Sequence, residues 1–94
     1  MTFNEFNKSL LSSTPPENIS LYLQSMWYDA KQDWTKAHTI IQDIEDNNAS
    51  WIHAYLHRKE GDISNAGYWY RKAAKPMPAY SLAQEWKEMV NDFL

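Results

Sequence analysis

An all-α domain of about six helices is predicted for this chain, and three observations predict it. Only two glycines occur in 94 residues, and the four prolines fall in two short clusters. Between those breaks the apolar residues recur every three or four positions, the period of a helix and not of a strand. Most of the apolar runs also follow a Ser, Thr or Asp placed to accept a backbone N–H at a helix start.

The elements follow in order. Thr2 and Glu5 have capping-box spacing, and Phe3, Phe6, Leu10 and Leu11 after them fall on one side of a short helix that Ser12, Ser13 and Thr14 end. Thr14-Pro15-Pro16-Glu17 reads as a second box, with proline where its missing N–H costs least. It opens a helix through about Lys31, with Ile19, Leu23, Met26 and Trp27 inward. Asp33 caps a third helix bearing Trp34, Ala37, Ile41 and Ile44. Glu45-Asp46-Asn47-Asn48 reads as a loop before a fourth helix from about Ala49 to Glu60. Gly61 suits that helix's C-terminal position of positive φ, and Asp62 then caps a fifth with Ile63, Ala66, Tyr70 and Ala73 inward. Lys75-Pro76-Met77-Pro78 breaks it. Ser81 and Gln84 start the sixth, whose one side carries Leu82, Trp86, Met89, Val90 and Phe93. Tight turns between these helices predict αα-hairpins stacked side by side within one domain, residues 1–94.

Composition excludes several function classes and selects none. Hydrophobic residues make up 44%, with five Trp, six Tyr and three Phe, enough to fill a core in a single small domain. A formal net charge of −3 argues against nucleic acid or an anionic membrane as partner. The absence of cysteine removes disulfides, thiolate ligands and a thiol nucleophile. No run approaches the ~18 apolar residues of a membrane span, and the N-terminus lacks signal-peptide character, so a cytoplasmic location is expected. Two glycines cannot write a phosphate loop, dinucleotide fingerprint or nucleophile elbow. Glu85 with Glu88, and Asp43 with Asp46, read as solvated charge, and enzyme catalysis is not expected.

A shift of 29 residues lays Leu23–Ile41 over Ile52–Tyr70, matching Asp33 with Asp62, Ala37 with Ala66 and Ile41 with Tyr70. A small alanine where helices cross, with a large residue four positions later, suits close packing in both copies. Gly61-Asp62-Ile63-Ser64-Asn65-Ala66, followed by Tyr70, Ala73 and Pro78, resembles the turn and second helix of a tetratricopeptide repeat. Ser50, His53 and His57 stand where that repeat prefers tryptophan, leucine and tyrosine. The resemblance covers about one hairpin, with a degenerate copy before it. His53-Ala54-Tyr55-Leu56-His57-Arg58-Lys59-Glu60-Gly61-Asp62, with Asn65-Ala66 and Tyr68-Trp69-Tyr70-Arg71, is also similar to a small bacterial and fungal helical family with an HxxxHRxEGDxxNxxYWY stretch, which implies a fold and no particular activity.

The tetratricopeptide resemblance implies a concave groove lined by the first helix of each pair, with Trp51, Tyr55, Arg58 and Lys59 facing it. Tyr68 and Arg71 lie off the core stripe of the fifth helix and join them as candidate partner-binding residues, since aromatics and Arg are enriched at binding hot spots. Arg71, Lys72 and Lys75 form a basic patch at that helix's C-terminus, where cations complement the dipole. The leading reading is a non-enzymatic module that binds a protein or peptide, or a second copy of itself, without a cofactor. It expects Tyr55→Ala with Arg58→Ala to abolish capture while leaving the melting temperature nearly unchanged. A purely structural homo-oligomer is a further reading. An alternative takes His53, His57 and Glu60, which share one helix face, as ligands for zinc or another divalent metal, with His38 a candidate fourth. Ala54 stands where a metalloprotease HExxH would need its glutamate. The same histidines also suit a hydrogen-bonded network with Tyr68, Tyr70 or Asp62.

Overall fold

In the computed structural model, which describes residues 1–94, six helices and no strand form the chain: α1 (Phe3–Ser9), α2 (Leu21–Ala30), α3 (Trp34–Ile41), α4 (Asn47–Glu60), α5 (Ile63–Lys72) and α6 (Leu82–Phe93). Each begins at a side-chain cap. Thr2 and Glu5 close a reciprocal box on α1, and Ser20, Asp33, Asp46, Asp62 and Ser81 each accept the N–H three residues on.

The second helix starts later than its sequence pattern suggested. Thr14-Pro15-Pro16-Glu17 caps nothing, because Asn18 sits in the left-handed region at φ 61° and directs the chain to a new cap at Ser20. Asn is among the few residues that adopt this conformation readily. The expected loop at 45–48 instead contains the Asp46 cap, so α4 begins at Asn47. Leu11 is 91% exposed and Ile63 54% exposed, although both were expected inward. Leu11 lies beyond the end of α1, and Ile63 occupies the first turn of α5, before the helix enters the core.

α2 with α3, and α4 with α5, form two tight hairpins related by the 29-residue shift. In the first, the N–H of Asp33 donates to Tyr28 O (2.9 Å) and that of Gln32 to Asp29 O (3.0 Å). In the second, Asp62 donates to His57 O (2.9 Å) and Gly61 to Arg58 O (3.1 Å). Gln32 and Gly61 both adopt positive φ, 65° and 89°. This is a Schellman turn made twice, once with glycine and once without. A third, at Ala74 (φ 58°) with Lys75 N donating to Tyr70 O, ends α5. The helix crossings repeat as well. Ser25 Oγ donates to Ala37 O at 2.8 Å, and the equivalent pair Ala54 and Ala66 is fully buried. Small residues on both sides let the backbones approach.

The hairpins stack through α3 and α4, and through α2 and α4. Across the face made by α2 and α4 lies α6, which buries Met89 and Val90 completely. Trp86 of α6 donates to Met26 O of α2 (3.1 Å), and Phe3 and Phe6 of α1 pack on the Trp86 ring. α4 is the central element, with every residue from Ala49 to His57 buried. A helix enclosed on all sides shows little amphipathic pattern, and α4 is one.

Candidate functional site

Two sets of polar side chains leave α4 on opposite sides. Toward α2 and α6, Trp51, Tyr55, Arg58 and Lys59 follow one another at helical spacing, as the groove reading expected, but most of their surface is taken up within the fold. Trp51 Nε1 donates to Glu85 Oε2 (3.1 Å), and Arg58 Nη1 to Glu85 Oε1 (2.7 Å). Arg58 also donates to Tyr80 O, and Tyr70 Oη donates to the same carboxylate at 2.7 and 2.9 Å. Glu85 is completely buried, so three donors from α4 and α5 converge on one charge carried by α6. That overturns its reading as a solvated carboxylate. Its spacing from Leu82 and Met89 places it within the apolar stripe of α6, a signal that could have identified it. Tyr55 Oη donates to Asp29 Oδ2 (2.8 Å) and Lys59 Nζ to Asp29 Oδ1 (2.9 Å), so a second buried carboxylate is neutralised from α4. Burial, and then the neighbouring Asp29 charge, raise the Tyr55 phenol well above its usual range. Burial together with the Glu85 contact does the same for Tyr70.

Trp51 and Tyr55 are therefore core residues, 6% and 2% exposed, and Arg58 and Lys59 are ion-paired struts. The face expected to be open is occupied by α6. Tyr55→Ala with Arg58→Ala would damage the fold, contrary to the expectation of an unchanged melting temperature. Of the six candidates, Tyr68 and Arg71 remain on the surface; the Tyr68 ring meets Trp69 edge-on and lies under Lys72 Nζ.

What α6 and α1 leave uncovered is a groove of about 310 Å³ between them, over α2 and α4. Leu10, Ala30, Leu82, Ala83 and Trp86 line it, together with Asp29, Tyr55 and Lys59. Lys59 gives one N–H to Asp29 and retains further donors, and its side chain is 29% exposed.

Toward α3 and α5, α4 presents His53 and His57, 7% and 8% exposed, and α3 brings the half-buried His38 against them. His38 Nε2 and His53 Nε2 share a hydrogen bond of 2.8 Å, and one ligand atom from each of the three rings lies within 4.8 Å of the others. Two tryptophans enclose the group. Trp34 stacks on His38 (4.9 Å between centroids) and is held by its own Nε1 donating to Leu56 O. Trp69 stacks on His53 at 3.9 Å. Burial, then the neighbouring His38, His57 and Lys72 charges, hold the His53 imidazole down to about 4, and burial lowers His38 as well. Glu60 does not join this group of three imidazoles. Its Oε1 lies 2.7 Å from His57 Nδ1, behind that imidazole, while Asn65 Nδ2 sits 3.3 Å from Nε2. The suggested hydrogen bonds from these histidines to Tyr68, Tyr70 or Asp62 do not form; the partners are one another, Glu60 and Asn65.

No known protein family, curated protein or solved structure matches this chain. The likeness of residues 61–78 to a tetratricopeptide repeat rests on those residues alone. The geometry itself must carry any functional reading, and it offers a groove on one side of α4 and a histidine cluster on the other.

Proposed function

We propose that this chain is a non-enzymatic helical interaction module that holds a short peptide segment in the groove between α1 and α6. The observation that carries this reading is the groove's lining: apolar walls from Leu10, Ala30, Leu82, Ala83 and Trp86, beside Tyr55, Asp29 and Lys59. A concave apolar site with a few convergent polar groups is the usual form of a binding pocket. The occupant that fits is one large apolar side chain, with a backbone carbonyl or carboxylate beside it to accept the free N–H groups of Lys59. Asp29 is already neutralised by Lys59 and Tyr55, so the floor does not favour a cationic ligand.

The position of Ala83 provides the test. It lines the groove yet is exposed, so a bulky side chain there fills the site at little cost to the core. Peptides selected from a random display library against the wild type should lose binding to Ala83→Trp, while the two proteins melt at the same temperature. A library that yields no binder, or binders indifferent to Ala83→Trp, overturns the reading.

A further inference from the structure

We infer that His38, His53 and His57 form a binding site for one divalent transition-metal ion, with Glu60 as the outer carboxylate that orients His57. This goes beyond the groove reading and does not depend on it.

Two features of the cluster point to a metal. The first is spacing. Two imidazole nitrogens bound to one tetrahedral ion lie roughly 3.3 Å apart, given metal–nitrogen distances of ~2.0–2.1 Å. His38 Nε2 and His53 Nε2 stand at 2.8 Å, so half an ångström of opening admits the ion between them. The ligand atom of His57 is already within 4.8 Å of both. The second is the outer contact. His57 Nδ1–H donates to Glu60 at 2.7 Å, which leaves the lone pair on Nε2; a carboxylate behind a metal-binding histidine is the usual means of fixing its tautomer and orientation. Asn65 Nδ2, now 3.3 Å from Nε2, gives up that contact when the ion binds.

The fold itself does not call for these histidines. Under the 29-residue shift, His53 and His57 correspond to Gln24 and Tyr28, and His38 to Gly67. The first hairpin thus makes the turn and the small-residue crossing without imidazoles at 24 and 28, and the second makes them without one at 67. Trp34 and Trp69 add aromatic walls on two sides, while partly exposed His38 gives the ion a route from solvent. Three neutral nitrogen donors suit zinc, cobalt, nickel or copper better than magnesium or calcium, which prefer oxygen. They also leave a fourth position for water or a ligand, unlike the closed four-ligand sites that serve structure alone.

The test is titration of metal-free, tag-free protein with Zn²⁺ and Co²⁺ at pH 7.5, read by calorimetry, by the melting temperature and by the visible spectrum of the cobalt form. One ion should bind per chain, raise the melting temperature and give the intense absorption of four-coordinate cobalt. Binding should weaken roughly 100-fold or more in His38→Gln and His53→Gln, and about 10–100-fold in Glu60→Gln. His38 is at the surface edge of the cluster, so His38→Gln keeps its helical circular dichroism and a loss of binding there reports ligation. A melting temperature and heat indifferent to both ions would refute the site. So would binding that survives His38→Gln but is lost in Asp62→Asn, because the ion would then sit on the exposed set His57, Glu60 and Asp62.

Discussion

Replacing Arg58 by Ala is expected to be among the most damaging single substitutions in this chain. Its guanidinium lies 2.7 Å from Glu85 Oε1, with side-chain exposures of 15% for Arg58 and 0% for Glu85. Without it, a fully buried carboxylate keeps only the Tyr70 hydroxyl and the Trp51 indole N–H as donors. Removing one partner of a buried pair costs about 3–5 kcal/mol, chiefly because the remaining charge is stranded. A chain of 94 residues has a total stability of about 5–14 kcal/mol, at ~0.05–0.15 kcal/mol per residue. The substitution therefore removes about a fifth of that or more, and lowers the melting temperature by more than about 12 °C. Urea unfolding followed by tryptophan fluorescence measures it as a lower midpoint at constant slope. The same substitution should cost about 1–3 kcal/mol less in a Glu85→Gln background, where no charge is left behind. A loss below about 1 kcal/mol, the value of an exposed ion pair, would refute the argument that Glu85 is a buried hub.

Two further outcomes follow from the same contacts. The metal-free protein should lose stability in mild acid, because the folded His53 titrates near 4 while the unfolded imidazole titrates near 6.5. Between those values the unfolded chain binds the proton and the folded chain does not. Stability is therefore complete above pH 6.5 and falls by up to about 3 kcal/mol as pH drops to 4, with no further loss from this group below. Urea midpoints at pH 7 and pH 4.5 check this, and a midpoint difference as large in His53→Gln as in the wild type would assign the sensitivity elsewhere. Ala74→Gly should raise stability by roughly 0.5–1 kcal/mol, since Ala74 ends α5 at φ 58°, where a β-carbon is strained and glycine is not. Thermal unfolding reads this change, and a lower melting temperature would show that the strain at Ala74 is offset locally.

Local chemistry was legible in the sequence to the extent that it is local. The Gly61-Asp62 turn, the Asp33 cap and the proline break after Ala73 are decided within a few residues, and each appears where the sequence puts it. The start of α2 was misread for an instructive reason. Thr14-Pro15-Pro16-Glu17 satisfies a local capping rule, but the positive φ at Asn18 sends the chain to Ser20, and nothing in the four-residue pattern carries that. The roles of Trp51, Tyr55 and Arg58 depend on what covers α4. That is a tertiary fact, set by a helix thirty residues later in the chain. His53 and His57 were legible as a pair because they share a helix face. His38 was legible only as a candidate addition to them; that it joins their cluster while Glu60 stands behind His57 was not, because it depends on how α3 packs against α4.

The position of α6 explains how so short a chain completes a core. Two stacked hairpins leave the face of α2 and α4 open, and helical arrays of this kind usually need about three repeats to bury themselves. Here the missing layer is α6, laid across both first helices with Trp86, Met89, Val90 and Phe93 beneath it and Glu85 fixing its register through three donors. A longer array would retain this face as a continuous groove. In this chain it is reduced to the gap between the end of α1 and the start of α6, where Leu10, Leu82 and Ala83 stand without a covering neighbour. The helix that closes the core therefore also determines where a groove remains, and it would confine the proposed peptide on this side to about one large side chain. The histidine cluster escapes that constraint because it faces α3 and α5, on the side of α4 that α6 does not reach.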